Sequence, residues 1–122
     1  MKSTQEVAQR LCELCRQGQW GQAQNELFDE NAVSIEMEGT PAPKVQGMPA
    51  IKAKAEQWDQ MVEEVHGGSV GEPIVAGNFF TVPMSMDVTY KERGRHKMEE
   101  LAVYEVKNGK IVKEQFFYDT NE

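Results

Sequence analysis

The sequence predicts one α+β domain, with helices first and a meander of antiparallel strands last. Two observations carry this. Apolar residues recur three and four apart through Val65, and that period vanishes after Gly67-Gly68. Beyond the glycine pair, short stretches rich in β-branched and aromatic residues are separated by turn signals. A length of 122 residues suits one core and is too short for two.

Residues 3 to 17 place Val7, Leu11, Leu14 and Cys15 on one helical face, with Ser3 or Thr4 as N-cap and Glu6 three beyond Ser3. Gly18 ends this helix. Trp20 to Phe28 repeats the pattern through Trp20, Ala23, Leu27 and Phe28, so the two should form a helical hairpin. After the polar break Asp29-Glu30-Asn31, residues 32 to 38 alternate Val33, Ile35 and Met37 against Ser34, Glu36 and Glu38, the period of a strand. A loop from Gly39 to Gly47, carrying Pro41 and Pro43, closes it. A long third helix is expected from Met48 to Val65, with Ile51, Ala55, Trp58, Met61, Val62 and Val65 inward and Pro49 in its first turn. His66 would close that helix, favourably placed against its dipole. Strands follow at 69 to 76, 79 to 90, 97 to 107 and 110 to 118. Gly77-Asn78, Glu92 to Gly94, and Asn108-Gly109 should turn them into three antiparallel hairpins.

Composition narrows the function. No run of about 18 apolar residues exists to span a bilayer. The amino terminus is polar and helical instead of presenting an apolar signal segment, and a cytoplasmic protein is expected. A net charge of −7 repels phosphate backbones, and the one basic cluster, Lys91 to Lys97, falls at a hairpin tip, so nucleic-acid binding is not expected. Cys12 and Cys15 have C-x-x-C spacing but lie on one helix without companion ligands. They read as reduced, buried thiols. No metal site, phosphate-binding glycine loop or cofactor is implied.

The order helix, helix, strand, long helix and strand meander resembles the nuclear transport factor 2-like fold. Three segments carry the likeness: WGQAQNELFDENAVSIEM, the G-x-x-A-I from Gly47 to Ile51, and the ending VYEVKNGKIVKEQFFYD. Together they are similar to SnoaL-like proteins and ketosteroid isomerases, over nearly all of residues 1–122 as a single domain. The resemblance implies a cone in which a curved, mostly antiparallel sheet wraps the long helix, its open end a pocket for a small apolar molecule. It sets Glu36 at a proton-transfer position. It also turns Glu100, Ala102, Tyr104 and Val106 inward on one late strand, and Val112, Glu114, Phe116 and Tyr118 inward on the next. The donors a ketosteroid isomerase uses are missing: the first helix has no tyrosine, and Ala102 stands at the late-strand position. Steroid isomerisation is therefore not expected.

Two readings of Glu36 stand side by side. As an inward carboxylate among apolar walls it would have a raised pKa and act as a base, with Tyr104 or Tyr118 as donor. As part of an ordinary alternating strand it would face water, with Val33, Ile35 and Met37 as the core face. Glu100, Glu114, Phe116, Trp58, Met84 and Met86 are candidate substrate contacts, although methionines and strand aromatics commonly fill cores. The role of Asp119, beside Tyr118, stays open. The function is thus that of a small-molecule pocket protein, either a cofactor-free isomerase, cyclase or hydratase, or a non-catalytic binding or dimeric interaction domain. Apolar residues on both sheet faces, among them Phe79, Val82, Val103 and Phe117, cannot all fit inside one cone, so a homodimer through the outer face is expected.

Overall fold

In the computed structural model, which describes residues 1–40 and 42–120, three helices lie against one seven-stranded sheet. Pro41 falls outside the described residues. Helix α1 spans Thr4–Arg16 and starts with the expected capping box, Ser3 and Glu6 each accepting the other's backbone N–H. Its buried face is Val7, Ala8, Leu11, Cys12, Leu14 and Cys15, so the cysteines are free thiols packed as small hydrophobes. Helix α2 (Trp20–Leu27) completes the hairpin, pinned to α1 by Arg10, which bonds Glu26 at 2.7 Å and also meets Glu13.

Strand β1 (Phe28–Ile35) begins directly at the end of α2, absorbing the polar Asp29-Glu30-Asn31 that alternation marked as a break. Its pairing with the last strand slips between Phe28 and Val33, and Asp29 accepts the backbone N–H of Asn31 within that irregularity. The strand ends at Ile35, earlier than the expected Glu38, and Glu36 continues its line with one bond to the Pro43 carbonyl. The expected loop contains a short strand β2 (Lys44–Gln46) paired antiparallel to β1.

Helix α3 spans Met48–Met61 and stops four residues short of the expected Val65. Val62–Val70 is instead strand β3, paired along β5 from Val62 opposite Tyr90 to Val70 opposite Met84. Bulges at Val62/Glu64 and Val65/Gly67 break its two-residue alternation, which is why its residues mimicked a helical period. His66 accordingly sits on a strand, 2.7 Å from the Thr89 hydroxyl, and caps no helix. The stretch expected as one strand from 69 to 76 is the end of β3 and a separate β4 (Ile74–Ala76). At the break, a Cβ on Gly71 would come within 2.6 Å of the Pro83 ring, and Arg16 ties the Val70 and Gly71 carbonyls to α1.

Strands β5 (Phe79–Tyr90), β6 (Gly94–Lys107) and β7 (Lys110–Phe117) form the meander, with turns at the three expected places. Asn108 and Gly109 both take positive φ, 53° and 76°, the requirement of a two-residue hairpin turn. The sheet order is β2-β1-β7-β6-β5-β3, with β4 also on β5, and β1–β7 is its one parallel pair among the described residues. The core lies between the three helices and the inner face of this sheet, where Phe80, Val82, Ala102, Tyr104, Val106 and Ile111 join Leu11, Leu14, Leu27 and Ile51 in one cluster. Burying each such large side chain contributes about 1.5–3 kcal/mol. Val82 therefore belongs inside and not among the outward residues. A bulge between Glu105 and Val106 sets Ile111 opposite Val106, so Ile111 takes the inward place expected of Val112.

Candidate functional site

The inner sheet face carries a polar cluster because its registers align. Phe80, Tyr104, Glu114 and Ser34 are successive cross-strand partners in one row. Val82, Ala102 and Phe116 form the next row, and Met84 with Glu100 the one beyond. Glu36 and Tyr118, two residues past Ser34 and Phe116, extend β1 and β7 on the same face. Ala32 and Ser34 are fully buried while Val33 and Ile35 are only half-buried, so Glu36 belongs to the inner face. The solvent-facing alternative, with Val33, Ile35 and Met37 as the core face, is overturned.

One residue that alternation in the strands could not reveal joins these groups. Lys54 Nζ donates to Ser34 Oγ at 2.6 Å and to Glu36 Oε2 at 2.9 Å. Ser34 in turn donates to Glu114 Oε2 at 2.7 Å, and the Tyr118 hydroxyl donates to Glu36 Oε1 at 2.7 Å. The result is a continuous chain Glu114–Ser34–Lys54–Glu36–Tyr118. Lys54 follows buried Ile51 by three residues and precedes Trp58 by four, so the helical spacing did hold the signal: a lysine on the inward face of α3. Its ammonium also lies 5.5 Å from the centre of the Phe116 ring.

The acids differ in how they are held. Burial pushes Glu114 up to about 7, opposed by the Ser34 hydrogen bond and the Lys54 charge. Glu100 is also pushed up to about 7, first by burial and then by the charges of Glu36 and Glu114. Glu100 has no hydrogen-bond partner among the described residues, whereas both oxygens of Glu36 are occupied by donors. Burial and the hydrogen bond to Glu36 keep the Tyr118 phenol protonated well above its ordinary range.

Of the other candidates, Phe116 borders the cluster through Lys54. Tyr104 lies deeper, 3% exposed and stacked on Phe80 at 4.8 Å, beside Glu114 and not bonded to Glu36. Met84 is packed in the core, and Met86 and Trp58 are half-buried with no hydrogen bond to the cluster. An open depression of about 310 Å³ is lined by Pro83, Glu99, Glu100, Leu101, Phe117, Tyr118 and Asp119, so it reaches two members of the cluster. A larger one of about 420 Å³, beside Met1, Glu6 and Asn108, touches none of them. The smaller lies largely on the outer sheet face, along Pro83, Leu101 and Phe117, and meets the cluster only at its edge through Glu100 and Tyr118. Among the described residues no three histidine, cysteine or acidic side chains are arranged to hold a metal ion, and no helix is long and apolar enough to cross a membrane.

The family model described as a SnoaL-like domain matches residues 2–118. A crystal structure from Mesorhizobium loti, described as a candidate SnoaL-like polyketide cyclase with "carbohydrate phosphatase" in brackets, is 38% identical, with a TM-score of 0.89 over 96% of this chain and 100% of that one. A nuclear transport factor 2-like protein of unknown function from Burkholderia pseudomallei shares the fold at 15% identity, with a TM-score of 0.81 over 98% and 93% of the two chains. A candidate SnoaL-like polyketide cyclase from Jannaschia does so at 14% identity, with a TM-score of 0.75 over 95% and 85%. No curated protein matches the sequence.

Proposed function

Because this chain belongs to the SnoaL-like domain family, whose members support the reading of a small-molecule pocket protein, we propose that it catalyses cofactor-free proton transfer on a small, apolar carbonyl compound. The observation that carries this is the chain Glu114–Ser34–Lys54–Glu36–Tyr118, with Glu100 beside it, in a face otherwise lined by apolar side chains. Isomerisation, cyclisation and hydration of such compounds all begin with a proton moved to or from carbon or oxygen. A side chain serves best when its pKa lies near the working pH.

Within this reading Glu100 exchanges the proton. It is raised to about 7, and without a protein partner it can approach a ligand freely. Glu36 is the charged centre whose two oxygens hold Lys54 and Tyr118 in position. Tyr118 adds a donor at the edge of the depression. Tyr104 closes the site's floor beside Glu114.

The test is solvent exchange. Cyclohexanone in deuterated buffer should take up deuterium at its acidic carbon faster with the protein than without it, and Glu100→Gln should lose about a hundredfold of that acceleration. Binding of cyclohexanone with exchange no faster than in buffer would instead favour a non-catalytic binding domain.

A further inference from the structure

A proton can be pulled from carbon only if the negative charge that develops on the carbonyl oxygen is met by a donor, and the positions that serve this purpose in the resembling isomerases hold no such donor here. We propose that Lys54 is the residue that hydrogen-bonds the developing enolate oxygen of the substrate. The inference rests on the proton-transfer reading above and adds to it the group that makes the transfer affordable.

The geometry supports it in three ways. An ammonium has three N–H donors, and Lys54 spends one on Ser34 and one on Glu36, leaving one without a polar partner among the described residues. Both neighbours accept from it, so the ammonium is held from two sides before any ligand arrives, which is the preorganisation an oxyanion donor needs. Its side chain keeps 21% of its surface exposed, and the Phe116 ring at 5.5 Å offers an apolar wall on which a substrate carbon frame can rest. The acids that face Lys54 are Glu36 on the extension of β1, Glu114 on β7 and Glu100 on β6, and it is the one cation among them.

The step balances without a co-reactant. The Glu100 carboxylate takes a proton from the carbon next to the carbonyl. The C–H electron pair becomes the new carbon–carbon π bond while the carbonyl π pair moves onto oxygen. Lys54 keeps its proton and gives that oxygen only a hydrogen bond. The proton then returns from Glu100 to carbon, at the same or a conjugated position.

The probe is para-nitrophenol, whose phenolate oxygen imitates the enolate and whose yellow absorbance reports its ionisation. Wild-type protein should bind it and favour the ionised form by about tenfold, one unit of apparent pKa. The double variant Lys54→Met/Glu36→Gln keeps the formal charge of the pair at zero; it should bind the probe without that preference. A preference retained in the double variant overturns the role of Lys54 while leaving the pocket standing, whereas wild-type protein that takes up no probe sinks both. A second readout needs no variant: the Nζ resonance of Lys54 in nitrogen-labelled wild-type protein should move with para-nitrophenol and not with nitrobenzene, which has the ring but no acidic oxygen. An equal response to the two refutes the proposal.

Discussion

Glu114 is the residue on which charge and stability meet. Its carboxyl is 5% exposed and holds its proton up to about 7 in the folded protein, against 4.5 as the ordinary value. Between those two pH values the folded state binds more protons than the unfolded one, so stability falls as pH rises through that window. The slope from one such group is at most about 1.4 kcal/mol per pH unit, and Glu100 adds to it in the same direction. We expect the thermal midpoint of wild-type protein to drop from about pH 5 to about pH 7.5, and Glu114→Gln, which mimics the protonated acid, to flatten that drop. An unchanged profile in the variant would mean that Glu114 is ionised throughout. The cysteines give a second expectation at this scale: burial raises Cys12 and pushes Cys15 up to about 12, so few thiolates exist near neutrality. A disulfide reagent at pH 8 should label the native protein slowly and both thiols at once in denaturant.

Among the elements, α1 is specified locally and β3 is not. The capping box of Ser3 and Glu6 satisfies two backbone donors at the start of α1, and Ser3→Ala should cost about 1 kcal/mol, read as a lower urea midpoint with an unchanged slope. Strand β3 depends on its neighbour. A Cβ built on Gly68 comes 2.6 Å from the Ser85 carbonyl oxygen, a backbone atom that cannot step aside without parting β3 from β5. Gly68→Ala should therefore destabilise by roughly 1–3 kcal/mol, with the loss of amide protection concentrated along Val62–Val70. Protection lost evenly across all strands would show instead that β3 is no separate weak element.

For the whole molecule, the outer sheet face sets the expectation. Ile74, Phe79, Leu101 and Phe117 are each more than two-fifths exposed, and Pro83, Leu101 and Phe117 are successive cross-strand partners on that face. Such a contiguous apolar patch on one side of a sheet is costly in water, and we expect it to bury itself against a second copy. Sedimentation equilibrium at micromolar concentration should report a dimer, and Leu101→Glu with Phe117→Glu a folded monomer. A monomeric wild type would leave the patch to some other occupant.

By itself the sequence determined the α+β class, the helical hairpin and the three strand turns, each from a local period or a turn dipeptide such as Asn108-Gly109, read within a few residues of its own position. The inward set Glu100, Ala102, Tyr104, Glu114, Phe116 and Tyr118 was what the resemblance to the ketosteroid isomerases implied, and the registers of the last three strands agree with it. Tertiary structure decided the rest. The end of α3 at Met61 and the strand after it depend on the pairing edge that β5 offers, and bulges hid that strand's period. Val112 lost its inward place to a bulge that only the partner strand creates. The face of Glu36 was undecidable from alternation alone, since a slip of one residue reverses every side chain; the parallel pairing of Ser34 with Glu114 settled it. Lys54 meets Glu36 across 18 residues and Tyr118 meets it across 82, and no local pattern encodes which distant side chains the closing of a curved sheet will bring within one hydrogen bond.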